Sequence, residues 1–185
     1  MKIPKRGFLY TYSGRIAFPD GAPSLQDIAV GLSRECRYAG AGMRWWPVTL
    51  HCFCVADLLP AHLKLDGLLH DAPECITGDM PKPVKTDEME AFEERLLVNV
   101  YKSFELRMPS PAQRVIIKQA DKRVLRGEVY TVGTQALQGV YGRYPRAERL
   151  VVRYLAEFPP LECISPDGRA PIEFMRRFRM YKDLR

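Results

Sequence analysis

The chain has 185 residues, 46% hydrophobic and 27% charged, with 28 Lys and Arg against 22 Asp and Glu for a net charge of +6. That is enough chain to bury a sizeable core, too ordinary a composition for disorder, and too interrupted in its apolar runs for a membrane span. The modest basic excess suits an anionic partner such as a nucleotide, although part of it lies in the segment FMRRFRMYKDLR, which reads as a solvated basic end.

Residues 1–24 carry several Gly and Pro and one short apolar stretch, GFLYTYSG, and read as an extended arm or small hairpin. The basic start lacks the apolar run of a signal peptide, so the expected compartment is the cytoplasm. From Ser24 the pattern turns helical. Leu25, Ile28, Ala29 and Leu32 recur at helical spacing, and Asp27 follows Ser24 as a variant capping box. This helix is expected to run to the glycines of YAGAGM. A second is expected from Pro47 to Leu59, with Pro47 in its first turn and Pro60 ending it. A third spans about Leu65 to Ile76. Pro73 inside an unbroken helix would cost about 3 kcal/mol, so the sequence asks for a kink or a fresh start near His70. Thr77-Gly78-Asp79 reads as a turn.

TDEMEAFEERLLVNVYKSFEL fits a long helix, with Met89, Phe92, Leu96 and Val100 on one stripe. SPAQRVIIKQADKRVLRGEVYTV fits another, with Pro111 in its first turn. YPRAERLVVRYLAEF and APIEFMRRFRMYKDL read as two more. Strand signals are weak. The class is all-α: one helical bundle with an arm (1–24), a helical core (25–160) and a C-terminal tail or helix (161–185). The five cysteines, Cys36, Cys52, Cys54, Cys75 and Cys163, include no CxxC and read as buried free thiols.

The only histidines are His51, His62 and His70. His62 follows Pro60 in a loop and reads as solvated. His70-Asp71 comes straight after the apolar Gly67-Leu68-Leu69, where charge is costly unless paired or metal-bound. Imidazole and carboxylate together suit Mn, Fe, Co, Ni or Zn. Asp121 shares a helix face with Ile117, Val124 and Leu125, so it points inward and is the best further carboxylate. Alone, a His-Asp dipeptide is an ordinary helix-surface pair. Glu74 lies four residues after His70, on the same side of a helix, where a carboxylate can orient or deprotonate a water. Asp79 can reach that water or be a plain turn residue.

The arrangement His51 … His70-Asp71 … Asp121 resembles the HD-domain phosphohydrolase superfamily. The match sharpens in HDAPECITGDMPKPVK, residues 70–85, which is similar to a signature of the branch holding bacterial 5′-deoxynucleotidases and small phage HD proteins, the phage dATP triphosphohydrolases among them. SLQDIAVGLSRECRYAG and YTYSGR are similar to those phage proteins too, and the resemblance covers about residues 9–130. It implies an HD-domain bundle with metal ligands His51, His70, Asp71 and Asp121 and catalytic carboxylates Glu74 and Asp79. The family's upstream Arg-Trp pair is matched by Arg44-Trp45 or Arg44-Trp46. Two positions depart from the pattern: Leu50 stands where a Glu is usual, and Pro73 where serine or alanine is usual.

The activity implied is metal-dependent removal of phosphate from 5′-(deoxy)nucleotides, deoxynucleoside 5′-monophosphates above all. A (d)NTP triphosphohydrolase is a second reading, and a nucleotide-binding module with an inactive metal site is a reading of another class. The cofactor would be one divalent transition metal, Co, Mn, Zn, Fe or Ni, with Mg as an addition on substrate phosphates. Arg37, Arg44, Lys82 and Lys85 are candidates to hold the phosphate. Tyr38, Trp45 and Trp46 can stack on a base or lie in the core. The partner is a small nucleotide, without a membrane or a stable nucleic-acid complex. A homo-oligomer stays open, and the cytoplasm would be a host's if the chain is of phage origin.

Overall fold

A computed structural model describes residues 7–133, 135–138 and 140–185. The arm is the small hairpin. β1 (Gly7–Tyr10) and β2 (Arg15–Phe18) pair antiparallel, with Leu9 opposite Ile16. The hairpin is tied to the first helix by Asp27, which accepts from the backbone N–H of Ser13 at 2.7 Å and from its hydroxyl at 2.8 Å. The same carboxylate closes the capping box with Ser24, so α1 (Leu25–Arg34) starts where the sequence places it. Burial opposes ionisation of Asp27, but the Ser13 and Ser24 hydrogen bonds hold its pKa below the ordinary value.

Helix α1 stops earlier than expected. Glu35 is already extended, Arg37 donates its backbone N–H to Trp46 O at 3.0 Å, and Cys36 bridges to Pro47. This pairing draws the chain off the helix before the glycines are reached. Next comes a 3₁₀ turn, Arg37–Gly40, in which Tyr38 (φ 61°) and Ala39 (φ 49°) are left-handed.

Helix α2 (Val48–Leu58) is apolar on nearly every side, and Val48 to Ala56 are all buried. It is the central rod of the bundle. Helix α3 (Lys64–Leu69) crosses it closely at Gly67, where a Cβ would meet Leu59 Cδ1 at 2.4 Å and Ala56 Cα at 3.2 Å. The helix expected over 65–76 is broken: α3 ends at Leu69, and α4 (Glu74–Thr77) begins after Pro73. Proline has no N–H to give a continuing helix, and it serves instead as the start of the next one.

Next are α5 (Asp87–Ser103), capped by Thr86, and α6 (Pro111–Thr131), capped by a Ser110/Gln113 box. Then come α7 (Gln135–Gln138), α8 (Pro145–Glu157), α9 (Pro160–Ile164) and α10 (Arg169–Lys182). Of these, α5, α6, α8 and α10 follow the sequence reading, and the short α7 and α9 are additions to it. The class is all-α, as expected, with the hairpin as its only sheet among the described residues. No described helix is long and apolar enough to cross a membrane.

The basic end is solvated on one side only: Arg176, Arg179 and Lys182 are exposed, and the opposite face is packed inward. Ala170, Phe174, Phe178 and Tyr181 of α10 lie in the core. Arg177 is 6% exposed and packs 4.4 Å over the Phe53 ring of α2. It donates to Asp57 at 3.2 Å, Glu173 at 2.8 Å and the Tyr154 hydroxyl at 2.7 Å. Removing one partner of a buried ion pair strands the other. Arg177→Ala should therefore cost about 3 kcal/mol and lower the unfolding midpoint by roughly 10 °C for a chain of this size. A melting shift within error of zero, as at an ordinary surface position, would show that α10 is not locked to α2.

Candidate metal centre

Four elements deliver the chemistry. The central α2 carries His51, wholly buried. The end of α3 presents His70, with Asp71 in the turn behind it. Helix α6 contributes Asp121 and, two turns on, Glu128. Helix α4 contributes Glu74, and the turn behind it Asp79.

The histidines meet ring edge to ring edge. His51 Nε2 lies 3.3 Å from His70 Nε2, 3.4 Å from Asp71 Oδ2 and 3.4 Å from Asp121 Oδ1. His70 Nε2 is 3.1 Å from Asp71 Oδ2. The opposite ring atoms are committed elsewhere. His70 Nδ1 lies 2.9 Å from Gly67 O, and a carbonyl only accepts, so that nitrogen must carry the proton. His51 Nδ1 lies 2.7 Å from Glu128 Oε1.

Glu128 is the hub. It is fully buried and also accepts from Trp46 Nε1 at 2.7 Å, the Tyr38 hydroxyl at 3.1 Å and Arg37 Nε at 3.2 Å. Burial opposes its charge, but Arg37 and then His51 bring its pKa down to about 2. An ionised Glu128 makes His51 Nδ1 the donor. A neutral His51 and a neutral His70 would then aim their two Nε2 lone pairs at each other and at two carboxylates. That arrangement repels itself unless a cation or a proton enters it.

In the protein alone the protons do so. Burial and Arg37 oppose a charge on His51, yet Glu128 and Asp121 push its pKa up to about 10. Asp71 and Asp121 are half-buried, which opposes their charge, but His70 and His51 hold the first below the usual carboxylate range and His51 the second. Two imidazoles and two carboxylates are a donor set for a borderline divalent ion. The ligand atoms of His51, His70 and Asp121 lie within 4.8 Å of one another. The residues fit such an ion, and the group can hold one.

Around this set, Glu74 Oε2 is buried without a hydrogen-bond partner. Burial, then the charges of Asp71 and Asp79, push the Glu74 pKa up to about 10. Gly78, at φ 76° and ψ 163°, turns the chain so that Asp79 Oδ2 accepts from Tyr38 N at 2.9 Å. A residue with a Cβ would be strained there. Arg37 is the cation inside the cluster, 3.8 Å from Asp71 and 3.9 Å from Asp79.

Of the other residues proposed from the sequence, Arg37, Tyr38 and Trp46 reach the cluster through Glu128, and the rest lie outside it. Arg44 is exposed, and no ion pair joins it to the cluster. Trp46 is 1% exposed and is spent on Glu128, so of its two readings the structure takes the core one: it buttresses the centre. Trp45 is half-buried, with its Nε1 unpartnered. Lys82 is exposed, as is His62. Lys85 pairs with Glu93 at the rim of a basin of about 290 Å³ that reaches His70, Asp71 and Glu74.

Three neighbours were missed. Glu128 falls on the buried stripe Ile117–Ala120–Val124, so its charge on an apolar face was a usable signal. Lys118 lies 2.6 Å from Asp121 and lines the same basin as Lys85. Cys52, adjacent to His51, groups with His70 and Asp71 within 4.8 Å. Burial, then Asp71 and Glu74, keep it a thiol, the poorer ligand form. Leu50, noted above as a departure from the resembled pattern, is core, and the carboxylate on His51 comes from Glu128.

A partner that fixes a ligand's ring typically carries 10–100-fold in metal affinity. Glu128→Ala should weaken Mn²⁺ or Co²⁺ binding by roughly that factor in a calorimetric titration, whereas Lys122→Ala, on the exposed side of α6, should leave it unchanged. Equal affinities would remove Glu128 from the centre's support.

No protein-family profile matches the chain. It is 28% identical over 184 residues to the uncharacterized protein YfdR of Escherichia coli K12, an alignment spanning 96% of this chain and 97% of that protein. It is 33% identical over 135 residues to the uncharacterized protein RCAP_rcc00048 of Rhodobacter capsulatus, spanning 63% of this chain and 68% of the relative. On that similarity, the chain belongs to the family of the Rhodobacter capsulatus protein RCAP_rcc00048.

Proposed function

We propose that this protein is a metal-dependent phosphohydrolase that removes phosphate from 5′-nucleotides, deoxynucleoside 5′-monophosphates above all. One observation carries the reading: His51 Nε2 and His70 Nε2 face each other at 3.3 Å, among carboxylates, with both Nδ1 atoms committed elsewhere. The resemblance of residues 70–85 to the HD-domain signature supports it from the sequence side.

His51, His70, Asp71 and Asp121 would hold the metal, which when bound supplies Lewis-acid polarisation of a phosphoryl oxygen. The remaining chemistry belongs to the chain. Glu74 Oε2, buried and unpartnered, would take the proton of an attacking water once the proton that burial, Asp71 and Asp79 hold on it has been displaced by a cation in the cluster. Asp79, braced by Tyr38 N and Arg37, fixes the loop beside it. The cluster holds Asp71, Glu74, Asp79, Asp121 and Glu128 against Arg37, so an anionic substrate needs cations at the entrance. Lys85 and Lys118 line the polar basin that opens onto Glu74 and Asp71 and are the groups to meet its phosphate.

Purified protein should release phosphate from deoxynucleoside 5′-monophosphates, lose that activity with a chelator and regain it with Mn²⁺ or Co²⁺. Release of inorganic triphosphate from dNTPs would replace the monophosphatase reading with the triphosphohydrolase one. Turnover of non-nucleotide esters alone would defeat both.

Glu74→Gln should bind metal as the parent does and lose on the order of 10²–10⁴-fold in turnover. Near-normal turnover, or loss of the metal, would count against its role. Lys118→Ala should lower kcat/KM by about tenfold, as expected for a lost hydrogen bond to a charged group. Unchanged kinetics would place the phosphate elsewhere.

A further inference from the structure

Two basins open from His70 and Asp71, and they differ in character. The one described above is polar, edged by Glu74, Lys85, Glu93 and Lys118. The other, of about 230 Å³, has apolar walls from Leu97, Tyr101, Pro109 and Ile117, carries Asp66 among its lining, and has Arg114 and the shared Lys118 at its edge. Asp66 sits on α3 one helical turn before His70, so the two side chains share a face.

Asp66 is 1% exposed, in a place where a carboxylate is costly. Only half of it is satisfied. Oδ1 accepts from the Tyr101 hydroxyl at 2.8 Å and lies 3.1 Å from an Arg185 guanidinium nitrogen, while Oδ2 is buried with no partner. Burial lifts its pKa above the ordinary value, against Tyr101 and Arg185. The Arg185 guanidinium, a flat group of N–H donors, also stands over the Tyr101 ring at 5.7 Å. The chain thus already sets a planar nitrogen donor against Tyr101 and Asp66.

We propose that the apolar basin takes the nucleobase of the nucleotide, and that Asp66 selects bases bearing an exocyclic amine, adenine or cytosine, over thymine. This rests on the phosphohydrolase reading, which puts the phosphate in the polar basin on the other side of His70 and Asp71. Asp66 Oδ2 accepts one N–H from adenine N6 or cytosine N4. Thymine turns a carbonyl oxygen to the same point, and two acceptors face each other. Guanine's paired N–H edge wants both carboxylate oxygens, and Oδ1 is taken.

The test uses nucleosides and chelator-treated protein, so neither phosphate nor metal takes part. Deoxyadenosine or deoxycytidine should bind at least about tenfold tighter than thymidine, the scale of one specific hydrogen bond. Asp66→Asn should bring that ratio close to one. Leu97→Trp, which fills the basin from its wall, should weaken all three nucleosides together. Equal binding of the three by the parent chain overturns the proposal, as does an unchanged ratio in Asp66→Asn. If Asp66→Asn does not melt as a folded protein, unchanged nucleoside binding by Leu97→Trp overturns it. The two readings fail separately. Phosphate release at equal efficiency from all bases sinks the base pocket and leaves the phosphohydrolase. Nucleoside discrimination by a chain that releases no phosphate from any nucleotide does the reverse.

Discussion

The carboxylate of Glu128 is the constraint on which the rest of the centre depends. It sits in the core with no water to solvate it, and its charge is met by four donors from three stretches of chain: Arg37 and Tyr38, Trp46, and His51. Such a group is tolerated only when every lone pair is engaged. The requirement therefore runs outward from Glu128. It fixes the rotation of the His51 ring, draws the 37–40 turn down onto α6, and turns Trp46 inward. A buried ion pair of this kind is a weak device for stability and a strong one for specifying a single arrangement. The left-handed backbone at Tyr38 and Ala39 belongs to the same bargain. Residues with a Cβ hold that conformation at a cost of order 1–3 kcal/mol, and here it lets Tyr38 present its N–H to Asp79 and its hydroxyl to Glu128.

Charge balance sets the character of the surroundings. Arg37 faces Asp71, Asp79 and Glu128, Lys118 faces Asp121, and the excess of negative charge is carried as bound protons on His51 and Glu74. A cluster in this condition exchanges protons for a cation: the groups that give up protons are the ones a cation would approach. The break between α3 and α4 makes that possible. An unbroken helix over 65–76 would carry His70, Asp71 and Glu74 on one continuous rod. Pro73 interrupts it, so Asp71 turns back toward His51 while Glu74 starts a new segment facing it.

Much of this was legible in the sequence, for reasons that differ by residue. His51, His70, Asp71 and Asp121 were readable because charge or imidazole next to apolar runs has few uses, and the structure does bring those four together. The helix starts at Ser24 and Ser110 were readable because capping is local chemistry. Arg37 and Trp46 could be named as candidates but not given their partners, since the path between them depends on the bridge from Cys36 to Pro47, a pairing across a loop. Arg44 stood in the sequence beside the same tryptophans, and nothing local distinguishes an exposed arginine from one drawn onto a buried glutamate. The short α3 has too few turns to show a face, which hid Asp66. In α10 the basic residues masked Ala170, Phe174, Phe178 and Tyr181, an apolar stripe at helical spacing.

The clasp between α2 and α10 has a consequence for how the chain is made. Arg177 closes on Asp57 across 120 residues, and Phe174 packs on Phe53, so the helix that carries His51 is sealed by a segment synthesised long after it. While the ribosome is still adding α5 to α9, α2 has its most apolar sides without their final cover. Nascent chains in that state expose sticky surface to their neighbours. A growing chain of this design covers its histidine helix in stages: Tyr154 and Phe158 can reach Phe53 before α10 emerges, and Phe174 closes the last side.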